Sequence, residues 1–353
     1  MKQNNFYSLL LAGVITLGGC MISSCTEDES NESTSNRIIF SIDDQGFSEG
    51  KVHTRGAKVN SISSFGVSAS VYGAASSYTS AGCGSYFYNQ EATVGVPLAY
   101  LWPTSDYRIS FFAYYPYGNS AFIIQSAANA LGSPTYSYTV PSAIASHLDI
   151  MTTQRTNMAC TPTTVALSFA HRCADIRFNV YNRGSSSLTV HSIGVYGVKY
   201  SGTFNDDNNP KWTLNASVNS ISSNPFLLTA GTVVAGDETV DITGTTNHFI
   251  MLPQTVAAGT QMIDVDATVN GVRNHYYHTL ESSFTILAGK IYNIRLEMGE
   301  ETLIVDMTSD IQDWSEEIKN LSIESVGNGN TWTQPSITDG EDMGIENWEE
   351  EEE

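Results

Sequence analysis

The fold is decided by the stretch Val165-Ala166-Leu167-Ser168-Phe169-Ala170-His171-Arg172-Cys173-Ala174-Asp175-Ile176-Arg177-Phe178-Asn179-Val180-Tyr181. It contains two runs, 165–169 and 175–181, in which apolar residues alternate with polar or small ones. Such alternation places every second side chain on the same face, as in a β-strand that buries one face. The stretch therefore predicts two short consecutive strands.

The same alternation recurs along the chain, whereas helical periodicity is hard to find. Most of the alternating runs are short and bounded by Gly, Pro, Ser or Asn. Further strands are predicted at 37–42, 64–72, 85–89, 107–113, 136–140, 188–198, 248–252, 262–269, 273–277, 290–297 and 302–307. Many short strands at this spacing predict an all-β protein built of sandwiches.

The composition favours an exported β-protein and excludes nucleic-acid binding. Only 15% of the 353 residues are charged, and the formal net charge is -21. Nine of the acidic residues lie between Asp339 and Glu353 and four more between Glu27 and Glu32, so the part of the chain between these clusters is only mildly acidic. Since no basic stripe is present to neutralise phosphates, no nucleic-acid partner is expected.

The N-terminus has the pattern of a lipoprotein export signal. Lys2 precedes an apolar run at 6–17, which is shorter than the roughly 20 residues that span a bilayer. Two cysteines follow, each preceded by small residues, and we assign lipidation to Cys25 with Cys20 as the alternative. Residues 1–24 are therefore predicted to be a signal peptide. The acylated cysteine would hold the protein on outer-membrane lipid.

No catalytic or metal-binding constellation is present in the sequence. The nucleophile elbow, the zinc-protease motif and the phosphate loop are all missing. The run 206–210 favours a plain turn over a calcium loop, and His171 is predicted to be structural. We therefore expect no enzyme, no catalytic residue, no metal and no cofactor.

Three cysteines lie beyond the signal, Cys83, Cys160 and Cys173. An odd number cannot pair completely within one chain. Buried thiols are favoured for all three, although Cys160 and Cys173 flank a strand-like run and could form a bridge.

Aromatic residues crowd into the stretch 100–117. Exposed rings could stack on sugars, but large rings in an alternating run favour a buried core. Sugar binding is kept as the alternative for this cluster.

The residues resemble those of the fimbrillins, pilin lipoproteins of Bacteroidales. The resemblance is carried by the lipoprotein signal and by Thr54-Arg55-Gly56, Trp102-Pro103, the stretches 109–116 and 165–176, Phe249-Ile250-Met251-Leu252-Pro253-Gln254, and Ala288-Gly289-Lys290-Ile291-Tyr292-Asn293-Ile294. It implies two transthyretin-like (Greek-key) β-sandwich domains in tandem. It also implies location on the outer membrane and cell surface, in a fimbrium that serves adhesion.

The resemblance further implies a lipid-tethered precursor that a trypsin-like protease cuts between Arg55 and Gly56. The expected divisions are 1–24 signal peptide, 25–55 propeptide with the first strand, 56–162 N-terminal sandwich, 163–326 C-terminal sandwich, and 327–353 an acidic tail expected to be disordered.

Cleavage at this position predicts an assembly mechanism. Loss of the strand at 37–42 would open an edge that a C-terminal strand of another fimbrial subunit could fill. The candidate donor residues are Leu303, Val305, Met307, Ile323 and Val326. The alternative function is a glycan-binding surface lipoprotein that stays monomeric.

Overall fold

The computed structural model describes residues 36–43, 62–299 and 302–314. In that part of the chain no helix is long and apolar enough to cross a membrane. Single turns of 3₁₀-helix lie at Tyr78–Ser80 and Ile144–Ser146. The strands are β1 (Ile39–Ile42), β2 (Ser64–Gly73), β3 (Phe87–Thr93), β4 (Tyr107–Tyr115), β5 (Phe122–Ile124), β6 (Thr135–Thr139), β7 (Met151–Ala159), β8 (Thr164–Leu167), β9 (Ala170–His171), β10 (Ala174–Asn182), β11 (Leu188–Val195), β12 (Ser201–Asn205), β13 (Trp212–Leu214), β14 (Phe226–Val234), β15 (Thr239–Asp241), β16 (Phe249–Met251), β17 (Gln254–Val256), β18 (Gln261–Val269), β19 (Val272–Thr279), β20 (Phe284–Ile286), β21 (Lys290–Met298), β22 (Leu303–Asp306) and β23 (Ile311–Asp313).

The prediction of an all-β sandwich fold is confirmed. Each predicted alternating run overlaps an observed strand, and the stretch 165–181 forms β8, β9 and β10. The alternation in β10 has the expected cause, because Ile176, Phe178 and Val180 are fully buried while the residues between them are partly exposed.

A first hydrophobic core lies between a five-stranded sheet and a strand pair. The sheet has the order β3-β2-β4-β7-β9, and the pair consists of β1 and β8, which run parallel. Phe40 of β1 contacts Phe65 of β2 and Phe111 of β4, so the pair packs across the face of the sheet. All three rings are fully buried in this core.

A second, larger core is formed by two further sheets, together with side chains of a third sheet of order β13-β12-β6-β5. One has the order β15-β10-β21-β22, with β16 also on β10 and β23 also on β21; the other has the order β14-β11-β18-β19. Phe178 and Ile294 of the first sheet and Ile193 and Val265 of the second are completely buried in this core. The central strands β10 and β21 run parallel, so a long connection separates them.

The two cores are interleaved along the sequence. Strand β8 belongs to the first core, although it follows residue 162. Strands β5 and β6 precede that residue, yet β6 pairs with β12 and its Tyr136 and Tyr138 are buried in the second core. The division into domains at residues 162 and 163 therefore stays a prediction.

Candidate functional site

Strand β1 is inserted into the first core through its side chains. Ile38, just before the strand, and Phe40 have no solvent exposure. The Phe40 ring meets the rings of Phe65 and Phe111 edge to face, with centroid distances of 5.6 and 5.2 Å. Such rings contribute both buried area and a favourable edge-to-face geometry. The first core is thus completed by a short strand from near the N-terminus.

The backbone of β1 is hydrogen-bonded on both sides. Towards the segment 95–102, the Phe40 carbonyl accepts the N–H of Gly95 at 2.9 Å. Towards β8, the N–H of Asp43 donates to the Leu167 carbonyl at 2.8 Å, just after the parallel ladder ends. The backbone groups of Asn36, Ile38 and Phe40 bond to the segment 95–102. The odd-numbered residues of β1 face β8. Strand β1 is therefore an interior strand, and its loss would leave two unpaired backbone edges.

The segment 95–102 is a neighbour of β1 that the sequence does not predict. The runs at 37–42 and 165–169 were both predicted as strands, but their parallel pairing was not. The segment 95–102 begins Gly95-Val96-Pro97-Leu98 and has no regular alternation. Since proline lacks a backbone N–H, such a segment does not resemble a ladder strand. The buried Trp102 at its end was the available signal.

Several predicted site residues lie outside the described part of the chain. These are the lipidation candidates Cys20 and Cys25, the processing pair Arg55 and Gly56, and the donor residues Ile323 and Val326. The segment 44–61, which links β1 to β2, also lies outside it. These assignments stay predictions.

The other donor candidates occupy the second core. Leu303 and Val305 lie on β22 and pack partly buried against it, and Met307 is buried. Strand β22 pairs with one end of β21 and β23 with the other end, on the same side. The predicted strand at 302–307 thus exists, but as an edge strand of its own subunit.

The polar groups considered for chemistry are engaged in structural contacts. Asp206 forms an ion pair with Arg172 at 2.8 Å and another with Lys211 at 2.8 Å. Nδ1 of His171 donates to the Asp149 carboxylate at 2.8 Å. Within residues 36–43, 62–299 and 302–314, no group of three or more His, Cys, Asp and Glu side chains could hold a metal ion.

Buried ionisable groups tie loops to strands. Burial lowers the pKa of His147 to about 4, and its Nδ1 accepts the N–H of Ile250 at 3.1 Å. Burial alone would raise the pKa of Asp175, but the hydrogen bond and charge of His248, with the charge of Arg177, lower it overall. A neutral histidine and an ionised carboxylate are therefore both held inside the second core.

The three cysteines beyond the signal are free and buried, as favoured from the sequence. Burial raises the pKa of each of the three thiols above its usual value. The alternative bridge between Cys160 and Cys173 is not formed.

The aromatic cluster belongs to the interior. Trp102, Phe111, Phe112 and Tyr114 are each at most 5% exposed. Tyr107 is the most exposed ring of this stretch, at 45%. The core interpretation is confirmed for these four buried residues, and sugar binding stays an untested alternative.

These observations define an all-β sandwich protein whose first core is completed by a strand from near the N-terminus. The fimbrillin-like family model matches residues 54–314, and the chain belongs to that family. The resemblance found in the sequence is therefore confirmed. Family membership supports a structural role as a fimbrial subunit and a location at the cell surface, and the family is not an enzymatic one.

Solved structures share the fold. A fimbrial protein from Bacteroides vulgatus is 18% identical with a TM-score of 0.54, over 71% of this chain and 92% of that chain. A candidate cell adhesion protein from Bacteroides uniformis is 15% identical with a TM-score of 0.50, over 80% of this chain and 99% of that chain. No curated protein sequence matches the chain.

Proposed function

We propose that this protein is a fimbrial subunit that is exported as a lipoprotein, matured by cleavage after Arg55 and assembled by donor-strand exchange. The observation that carries the proposal is the position of β1. Its side chains complete the first core, and its backbone bonds to both neighbours. It is also encoded before Arg55, so one cut detaches it from the sandwich.

Removal of β1 would create a binding groove for a strand. The floor would consist of the rings that now contact Phe40, those of Phe65 and Phe111. The walls would be β8 and the segment 95–102, each with backbone groups that have lost their partners. Unpaired edges of this kind bind added strands through main-chain hydrogen bonds, while pockets for alternate side chains give selectivity.

The partner of this groove is another fimbrial subunit. A contact between the groove of one copy and the C-terminal region of the next is heterologous and propagates instead of closing. The resulting assembly is a fimbria that serves adhesion. A homopolymer and a polymer that contains other subunits would both use this groove.

The N-terminal residues bring the precursor to the cell surface and delay its assembly until cleavage. The acylated Cys25, or Cys20, holds the precursor on outer-membrane lipid until a trypsin-like protease cuts before Gly56. This order keeps the first core complete during export, because β1 stays attached until the subunit has reached the surface.

Substitution of Arg55 tests the proposal. After export and protease treatment, the wild-type protein is expected to begin at Gly56 and to form ladders of stable multimers. The variant Arg55→Ala is expected to keep its lipidated N-terminus and remain monomeric, whereas Lys58→Ala, a nearby basic control, behaves as wild type. Measurement combines N-terminal mapping by mass spectrometry with unheated gel electrophoresis. Multimers that retain residues 36–43 would refute the mechanism.

A further inference from the structure

Two C-terminal segments compete for the role of donor strand. By alternation alone, Leu303, Val305 and Met307 match the inward positions of β1 better than the segment 321–326 does. However, Leu303–Asp306 already pairs with Arg295–Met298 of β21, residue by residue. This strand can serve a neighbour only if it first leaves its own sheet.

Residues beyond β22 strengthen its attachment. The Asp310 carbonyl accepts the N–H of Asn293 at 3.0 Å, and Ile311–Asp313 forms β23 on the other end of β21. Lys290 forms an ion pair with Asp313. The N–H of Trp314 donates to the Gly289 carbonyl at 2.9 Å. The whole segment 302–314 is thus bonded along the edge of β21.

Trp314 is the strongest point of this attachment. It has no solvent exposure, and its indole stacks on the His171 imidazole with a centroid distance of 4.3 Å and an interplanar angle of 2°. The hydrogen bond from His171 Nδ1 to Asp149, at 2.8 Å, fixes the orientation of the imidazole ring. We call this stack of Trp314 on His171 the C-terminal clamp. Extraction of the segment would expose a large aromatic side chain, which disfavours it strongly.

We propose that the C-terminal clamp retains residues 302–314 in their own subunit, so that Leu321–Val326 is the strand that enters the groove left by β1 in a second copy. The inference rests on the proposed function and names the segment that performs it. Six residues, 315–320, separate the clamp from Leu321. At about 3.4 Å per residue in extended chain, Leu321 can lie up to about 24 Å from Trp314, which suffices to reach a neighbouring molecule.

The segment also has the residues that a strand in this groove requires. In an extended strand, Leu321 and Ile323 would share one face and could occupy the positions of Ile38 and Phe40. Ser322 and Glu324 would then face the other way. Its six residues exceed the four of β1, so it can pair with both walls of the groove.

Photo-crosslinking of the full-length chain, cut after Arg55, distinguishes the two donors. A benzophenone amino acid replaces either Ile323 or Val305, and mixed heavy- and light-isotope copies separate crosslinks between subunits from those within one. Position 323 is expected to crosslink to 95–102 or 164–167 of another copy, and position 305 only within its own. Crosslinks from 305 into a neighbour's groove, with none from 323, would overturn the inference and leave donor-strand exchange standing. If the cut protein gives neither multimers nor crosslinks between copies, the proposed function fails and the inference fails with it.

Matched substitutions test the donor segment separately. Ile323→Asp is expected to lower the yield of multimers at least tenfold, while Ser322→Asp, with the same charge on the opposite face, changes it less than twofold. Neither variant should shift the melting temperature of the uncut protein. Equal effects of the two variants on multimer yield would contradict the proposed facing of Ile323.

The clamp is tested through the exchange of backbone amides. Trp314→Ala and His171→Ala are expected to speed hydrogen exchange of residues 303–313 at least tenfold and to allow crosslinks from position 305 to other copies. His171→Phe keeps a flat ring under the indole and should restore slow exchange. If exchange in 303–313 is unchanged by loss of either ring, the clamp does not retain the segment.

Discussion

At the residue scale, the histidines serve as internal ties between distant parts of the chain. His147 accepts a hydrogen bond from the backbone of Ile250, which is 103 residues away, and its ring lies edge to face with Phe226 at 5.2 Å. Asp149, two positions further on, bonds to His171 instead. Their real partners depend on how sheets stack, which alternation within a strand does not encode.

Substitution of His147 makes the stability less dependent on pH. The unfolded chain binds a proton near pH 6.5, but burial holds the pKa of folded His147 at about 4. The unfolded state therefore binds more protons between these values, and stability falls as the pH falls from 6.5 towards 4. At about 1.4 kcal/mol per pKa unit, this group accounts for a loss of about 3 kcal/mol.

In His147→Gln, urea unfolding at pH 6.5, 5 and 4 should show a smaller loss over this interval by about that amount. The glutamine keeps an acceptor for Ile250, so the folded contact is largely retained. An equal loss of stability in both proteins would argue against a neutral, buried His147.

At the element scale, the predictable strands are those that bury one face. Strand β1 was found from the alternation at 37–42, and β10 from that at 175–181. Strand β7 was missed, because Met151–Ala159 is largely polar and only Met151, Thr152 and Thr153 are buried. In its second half only Met158 packs against the first core, so no regular alternation marks it. The predicted division between residues 162 and 163 follows this polar strand directly.

Truncation of Phe40 should weaken the uncut protein through a single side chain. Phe40→Ala removes a fully buried ring from between Phe65 and Phe111 and should lower the free energy of unfolding by about 3–5 kcal/mol. Ser41→Ala, next to it in β1, keeps the backbone bonds and should cost less than about 1 kcal/mol. Denaturant unfolding of the Arg55→Ala background, in which the strand stays attached, measures both. Similar losses for the two variants would mean that β1 does not complete the first core.

At the scale of the whole molecule, strands of the two cores alternate along the sequence. Strand β6 pairs with β12 across more than sixty residues, Thr135 lying opposite Asn205. Strand β1 pairs with β8 across a longer interval, Ile39 lying opposite Thr164. Alternation predicts where many of the strands lie. It does not predict which strands meet, because pairing between distant strands depends on the packing of the complete core.

Two truncations separate the roles of the C-terminal residues. Removal of 327–353 should leave multimer formation after cleavage unchanged, because the proposed donor ends at Val326. Removal of 315–353 should abolish it while Trp314 still holds the last strands, so the melting temperature should stay the same. Calorimetry and unheated gels measure the two effects. Loss of multimers in the shorter truncation alone would assign an essential role to the acidic tail.

The two neighbours of β1 run in opposite directions, since β8 is parallel to it and the segment 95–102 is antiparallel. An incoming strand would be parallel to one wall and antiparallel to the other in either orientation, so the wall directions alone do not select one. The contact between the groove of one copy and the tail of the next is what would give every joint in a fibre the same polarity. The two ends of such a fibre then differ chemically: one presents an empty groove and the other an unused tail. A subunit that keeps its own β1 can donate but not receive, and it would therefore cap one end and set the fibre's length.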